Sequence, residues 1–231
     1  MRATCKPRVK ICCIRNLEEA WTAIDAGATA LGLVSKMPSG PGVIPEEVIA
    51  QIAARIPPGV ATFLLTSELD VRAIIAQQKR TRVNTLQIVD RLEPGAHQEL
   101  RAALPGIALV QVIHVRGPAS MAEALAIAPY VDALLLDSGN PSLPVKELGG
   151  TGRTHDWSIS RQIREAAPVP VFLAGGLTGA NVAEAIRQVE PFGIDLCSGV
   201  RTEGRLDAAK LAEFFRAVST AGGSDAGPAT P

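Results

Sequence analysis

Eight short runs of apolar, often β-branched residues recur along this chain, at residues 9–12, 30–34, 61–65, 85–89, 108–114, 133–137, 169–173 and 193–197. Continuous apolar runs are typical of strands that are covered on both faces, as in a parallel sheet. Amphipathic stretches alternate with these runs, and eight β-then-α units predict an α/β fold of one domain, the (β/α)8 TIM barrel. A doubly wound open sheet is the alternative, and it requires a reversal of strand order that a sequence does not display.

The spacing of apolar residues predicts helices between these strands, most clearly at 17–26, 45–55, 181–189 and 206–218. Pro45 suits the first turn of the second of these helices, and Thr178 is a candidate side-chain cap for the third. We expect residues 1–220 to form the barrel. Small and polar residues fill 221–231, which predicts a disordered tail.

Charge and composition exclude several classes of partner. The 231 residues include 23 basic and 23 acidic side chains, and aromatic residues make up 3%, so neither a basic patch nor a base-stacking surface for nucleic acid is expected. No apolar run reaches the roughly 18 residues of a membrane span, and residues 1–8 lack the apolar core of a signal peptide. The four cysteines, Cys5, Cys12, Cys13 and Cys197, follow no zinc-binding pattern, and the three histidines are scattered, so no metal site is expected. The same cysteine pattern predicts free thiols in a reducing cytoplasm.

Clustered glycines at three strand ends predict a phosphate site. Gly149, Gly150 and Gly152 lie in the long segment 138–156, Gly175 and Gly176 follow the seventh strand, and Ser198 and Gly199 follow the eighth. Barrels of this kind often hold phosphate with backbone N–H groups of the last two loops and a short helix. Arg153 and Arg201 are candidate charge-assisted contacts. The alternative is that these glycines only turn the chain.

Two side chains at strand ends are candidates for acid–base chemistry. Cys12 ends the first strand and Asp137 the sixth, so in a barrel both would face the same mouth. The alternatives are a small core thiol for Cys12 and a loop or capping residue for Asp137. Among the histidines, His97 is expected on a solvated helix, His114 either faces the mouth or is structural, and His155 braces its loop.

From residue 9 to about 218 the chain resembles the phosphoribosylanthranilate isomerase family of the tryptophan pathway. The resemblance rests on an ordered set of motifs: Lys10-Ile11-Cys12, Leu134-Leu135-Leu136-Asp137-Ser138, Gly149-Gly150-Thr151-Gly152-Arg153 with Asp156-Trp157, Leu173-Ala174-Gly175-Gly176-Leu177, and Gly193-Ile194-Asp195-Leu196-Cys197-Ser198-Gly199-Val200.

The resemblance implies an Amadori rearrangement of an N-aryl-phosphoribosylamine without metal or cofactor. It implies that Asp137 is the general acid and Cys12 the general base, that the loops at Gly152, Gly175-Gly176 and Ser198-Gly199 hold the phosphate, and that Asp195 lies near the amino-aryl end. The substrate is thus expected to be a small phosphorylated sugar. The oligomeric state is left open between a monomer and a homodimer.

Several positions depart from the family pattern. Cys13 replaces a glycine, and Arg15 stands where threonine is common. Pro41 falls at the arginine that pairs with the anthranilate carboxylate, Val89 at a histidine, and Arg201 where glutamate is common. Proline supplies no cation. Arg15, Lys36 or Arg201 are candidates to replace that contact. Two alternatives remain open: an isomerase for a different amine, and a non-catalytic paralogue that binds a phosphorylated metabolite.

Overall fold

A computed structural model describes residues 6–221, and the central feature is a closed barrel of eight parallel strands. The strands follow one another around the barrel in chain order, and β8 pairs with β1. This confirms the predicted (β/α)8 barrel and excludes the open sheet. The strands are β1 Arg8–Ile11, β2 Ala30–Val34, β3 Ala61–Thr66, β4 Thr85–Ile88, β5 Ala108–His114, β6 Ala133–Asp137, β7 Val171–Leu173 and β8 Gly193–Leu196.

One helix follows each strand: α1 Leu17–Asp25, α2 Glu46–Ala53, α3 Val71–Thr81, α4 Ala96–Ala103, α5 Ala119–Ile127, α6 Trp157–Ala166, α7 Val182–Val189 and α8 Ala208–Ala221. Side chains of Asn16, Asp70 and Asp156 accept hydrogen bonds from the first turns of α1, α3 and α6. None of these eight helices is long and apolar enough to cross a bilayer.

Two details of the helices correct the sequence predictions. The Thr178 side chain does not cap α7, because the hydrogen bond runs the other way: the Asn181 side chain accepts from the Thr178 amide at 2.8 Å. His97 is on α4 but is buried, not solvated, and its Nε2 pairs with Gln111 Oε1 at 2.9 Å. The helix α8 includes Ala221, and the rest of the predicted tail lies outside the described residues.

The buried apolar residues form two layers, one between the sheet and the helices and one inside the barrel. Strand alternation creates this division: Leu31 and Leu33 face the helices, while Ala30 and Val34 face inward. Gly32 lies on the inner face, where an added Cβ would come within 2.7 Å of Cys12 Sγ and 2.9 Å of Lys10 Nζ. A glycine is therefore required there to leave room for both groups.

Candidate active site

A cavity opens at the carboxyl ends of the strands, and about 710 Å³ of space lies in it and in the adjoining solvent. Cys12, directly after β1, and Asp137, the last residue of β6, both line it. The structure thus brings these two side chains to one mouth of the barrel.

Asp137 has the environment of a carboxyl group that holds its proton. The residue is buried, and its Oδ1 accepts a hydrogen bond from the Ser138 amide at 2.8 Å. Burial raises the pKa of Asp137, and the nearby charge of Asp195 adds to this effect, although the Ser138 hydrogen bond and the charges of His114 and Lys10 oppose it. A buried carboxyl with a raised pKa is suited to donate a proton near neutral pH.

Three thiols share one side of this cavity: Cys12, Cys13 and Cys197. Hydrogen bonds with the Cys12 and Cys197 thiols, together with burial, raise the pKa of Cys13 well above its ordinary value. The hydrogen bond from Cys13 and the charge of Arg201 lower the pKa of Cys197 although burial opposes this. Sequence analysis did not anticipate the cluster, because Cys13 and Cys197 are 184 positions apart in the chain.

Beneath the cavity lies a buried ion pair that sequence analysis also missed. Lys10 is completely buried, and its Nζ is 2.8 Å from Asp195 Oδ1. Burial alone would lower the pKa of Lys10, but the charge and hydrogen bond of Asp195, together with the neighbouring Cys12 and Cys13, outweigh it, and the pKa is raised. Both Lys10 Nζ and Cys12 Sγ border the space above Gly32, so the ammonium and the thiol are neighbours. The lysine within the apolar run 9–12 is the sequence feature that could have indicated this ion pair.

The glycine loops pack against each other through their backbones. Gly150, Gly152, Gly175 and Gly176 all have positive φ, from +61° to +85°. A Cβ on Gly176 would lie 2.7 Å from the Arg153 carbonyl carbon, and one on Gly199 would lie 2.0 Å from Leu177 O. These contacts show why side chains are excluded. Five of the six predicted phosphate-site residues line the cavity, while Gly199 packs behind it; the five are Gly150, Gly152, Gly175, Gly176 and Ser198.

Side chains brace the long loop after β6, both internally and against α6. Ser138 Oγ lies 2.9 Å from Thr151 Oγ1 and donates to Arg153 O at 2.6 Å. His155 Nε2 pairs with Ser160 Oγ of α6 at 2.7 Å, which supports the prediction that it braces this loop. Burial lowers the pKa of His155 to about 4, although Asp156 opposes this shift. The brace is therefore neutral at physiological pH.

None of the three predicted arginines lies on the cavity wall. The buried Arg201 guanidinium binds Glu19 at 2.9 Å and donates to the Cys13 carbonyl at 2.6 Å, so it holds the loop after β1 in place. Arg15 is exposed, and Arg153 is paired with Glu147. Lys36 is also exposed. Asp195, by contrast, lines the cavity as predicted.

The contacts of His114 support a structural role for this residue and not a place at the mouth of the barrel. It is buried, its Nε2 donates to Val89 O at 3.0 Å, and it does not line the cavity. Its register partner is Asp137, so it supports the strand end that carries the carboxyl group. Among the described residues no cluster of His, Cys, Asp and Glu has a geometry suited to a metal ion.

The barrel, the glycine loops, and a thiol and a carboxyl group that line one cavity are typical of a (β/α)8 enzyme with its active site at the carboxyl ends of the strands. Residues 9–217 match the family described as N-(5'-phosphoribosyl)anthranilate isomerase. The chain therefore belongs to the phosphoribosylanthranilate isomerase family.

Individual relatives agree with this membership. An N-(5'-phosphoribosyl)anthranilate isomerase of Haloferax volcanii is 37% identical and covers 94% of this chain and 95% of its own. One from Thermosynechococcus vestitus is 35% identical over 90% of this chain and 87% of its own. The phosphoribosyl anthranilate isomerase structure from Thermotoga maritima has a TM-score of 0.80 at 28% identity, covering 93% and 99% of the two chains.

A further solved phosphoribosyl anthranilate isomerase is in complex with reduced 1-(o-carboxyphenylamino)-1-deoxyribulose 5-phosphate. Its TM-score is 0.77 at 26% identity, with coverage of 93% of this chain and 99% of that one. A family member of this fold thus binds a phosphorylated aminosugar.

Proposed function

We propose that this chain catalyses the reaction of its family, the Amadori rearrangement of an N-substituted 5-phosphoribosylamine to a 1-amino-1-deoxyribulose 5-phosphate. The relatives' names give phosphoribosylanthranilate as the reference substrate, which assigns the family to tryptophan biosynthesis. The observation that carries the proposal is that Cys12 and Asp137 line one cavity together with the glycine loops.

Ring opening is the first step and falls to Asp137. Its carboxyl proton passes to the furanose ring oxygen, the bond from that oxygen to C1′ breaks, and the C1′–nitrogen bond becomes an iminium double bond. Burial raises the pKa of Asp137, which favours the protonated carboxyl group that this step requires. The carboxylate formed in this step also stabilises the cationic iminium.

Proton removal from C2′ is the second step and falls to Cys12. The thiolate takes the proton, the electron pair of the C2′–H bond forms a C1′–C2′ double bond, and the iminium becomes a neutral enolamine. The Lys10 ammonium is a neighbour of the Cys12 sulfur, since both border the space above Gly32. Return of a proton to C1′ and loss of the C2′ hydroxyl proton give the ketone.

The glycine loops hold the phosphate in this proposal. Backbone N–H groups of the loops after β7 and β8 approach the ligand because no Cβ intervenes at Gly175 and Gly176. The short 3₁₀ helix Ser198–Val200 begins at the same edge of the cavity. This arrangement binds an anion without a basic side chain on the wall.

The reaction can be tested by mixing ribose 5-phosphate with anthranilate, aniline or 2-aminobenzamide to form three phosphoribosylamines in solution. We expect enzyme-dependent conversion of at least one of them to an aminodeoxyribulose phosphate. Cys12→Ser and Asp137→Asn should each lower kcat/KM by about 10²- to 10⁴-fold. Asp132→Asn, at the opposite end of β6, is the matched control and should retain activity. Absence of turnover for all three amines, or full activity in the Cys12 variant, would contradict the proposal.

We also propose a cytoplasmic location and assembly as a monomer or homodimer. A family structure from Thermotoga maritima is described as a monomer generated from a dimeric enzyme, at 25% identity and a TM-score of 0.74. Size-exclusion chromatography with light scattering distinguishes the two assemblies.

A further inference from the structure

The charges on the cavity wall are unusual for a site that would bind a substrate with two anionic groups. Among the described residues the wall contains the carboxyl groups of Asp137 and Asp195 but no lysine, arginine or histidine. Lys10 lies below the wall and is bound to Asp195. A second anion beside the phosphate would therefore find no cationic side chain on this wall.

Two cations of the loop after β6, beside the cavity, are already paired. Lys146 binds the carboxylate of Asp90, which follows β4, and Arg153 binds Glu147. Using either cation for a ligand would leave its acidic partner unpaired, and Asp90 is buried. Leaving a buried carboxylate without a counter-charge is unfavourable.

The side of the cavity opposite the phosphate loops is mostly apolar. By the strand order, β2, β3 and β4 lie across the barrel from β7 and β8, and their carboxyl ends contribute Val34, Leu65 and Val89. Pro41 closes this side by packing on the loop after β6, since a Cβ on Gly150 would lie 2.7 Å from Pro41 Cδ. We call this side the amine end.

One neutral polar side chain interrupts the apolar surface of the amine end. Gln87 of β4 is 3% exposed, lines the cavity, and its Oε1 has no hydrogen-bond partner among residues 6–221. Its register partners Leu65 and Val110 belong to the layer inside the barrel. An amide both donates and accepts, so it pairs well with a neutral polar group of a ligand.

We infer that the amine end selects a neutral substituent over one that carries a carboxylate. The inference rests on the proposed function and names the substrate class: N-substituted 5-phosphoribosylamines whose amine half is uncharged, with a polar group that hydrogen-bonds the Gln87 amide. Burial of a carboxylate without a cation costs more free energy than burial of an amide that finds a partner.

Three reduced product analogues test the inference: 1-(phenylamino)-1-deoxyribulose 5-phosphate reduced at C2, and the same compound with an ortho carboxylate or an ortho carboxamide. Isothermal titration calorimetry on the full chain gives each Kd. We expect the carboxamide to bind at least about tenfold more tightly than the carboxylate. In Gln87→Met the advantage of the carboxamide over the phenyl compound should disappear, while the Kd of the phenyl compound stays the same.

A second variant supplies the converse test. Asp90→Asn releases Lys146 from its partner, so the carboxylate compound should gain affinity and the phenyl compound should not. If the carboxylate compound binds as tightly as the carboxamide in the unaltered chain, the inference is overturned while the proposed function survives. If none of the three compounds binds, the proposed function fails and the inference fails with it.

Discussion

The two ends of the cavity use different parts of the chain. At the proposed phosphate end, formed by the glycine loops after β6, β7 and β8, backbones meet so closely that side chains are excluded, as at Gly176, which has a positive φ, and at Gly199. At the amine end, side chains such as Gln87 and Pro41 form the wall. In the proposed function, backbone geometry thus holds the phosphate at one end, while side-chain identity selects the amine at the other. The phosphate end can stay the same while the amine end changes.

The largest expected effect concerns the ion pair between Lys10 and Asp195, which lies beneath the cavity. Lys10→Met leaves the buried Asp195 carboxylate without its partner and should lower the free energy of unfolding by about 3–5 kcal/mol. Chemical denaturation measures this loss. Arg80→Met breaks an exposed pair with Glu46 and should change stability little.

If Lys10→Met does not fold, the double variant Lys10→Met with Asp195→Leu removes both charges and should recover the fold. A Lys10→Met protein as stable as the unaltered chain would show that the pair does not support the cavity.

A smaller effect separates the two ends directly. Gly176→Ala places a Cβ against Arg153 in a left-handed conformation, at a cost of about 1–3 kcal/mol. Because Gly176 belongs to the phosphate end, all three analogues should lose affinity by the same factor. Gly106→Ala is the control, since Gly106 has φ +84° but open space around it, and ligand Kd values should not change. Unequal losses among the analogues would mean that the two ends are not independent.

The smallest expected effect concerns the carboxyl group between the two ends. Burial raises the pKa of Asp137, so above the ordinary aspartate pKa of about 4 the folded protein binds this proton more strongly than the unfolded chain does. The free energy of unfolding therefore falls as pH rises above about 4. Asp137→Asn removes this pH-dependent loss and should raise the free energy of unfolding by about 1 kcal/mol at pH 8. The gain should vanish below pH 4, and thermal unfolding at several pH values checks it. A gain independent of pH would contradict the raised pKa.

The residues of the proposed phosphate end could be predicted from the sequence more completely than those of the proposed amine end, for a physical reason. Glycine clusters at strand ends report backbone conformation locally, so Gly150, Gly175 and Gly176 could be assigned from the chain itself. The contacts of Arg201 could not, because Glu19 and the Cys13 carbonyl are more than 180 positions away and become neighbours only when β8 pairs with β1. His97 was predicted to be solvated because its helical pattern does not reveal Gln111 beneath it.

The most direct test of the central claim is whether Cys12 removes the C2′ proton. Ribose 5-phosphate deuterated at C2 can be condensed with each amine, and the rearrangement followed in a single turnover. We predict a primary deuterium isotope effect on the rate in the unaltered chain and loss of the reaction in Cys12→Ser. A Cys12→Ser protein that reacts at the full rate, with the same isotope effect, would contradict the account.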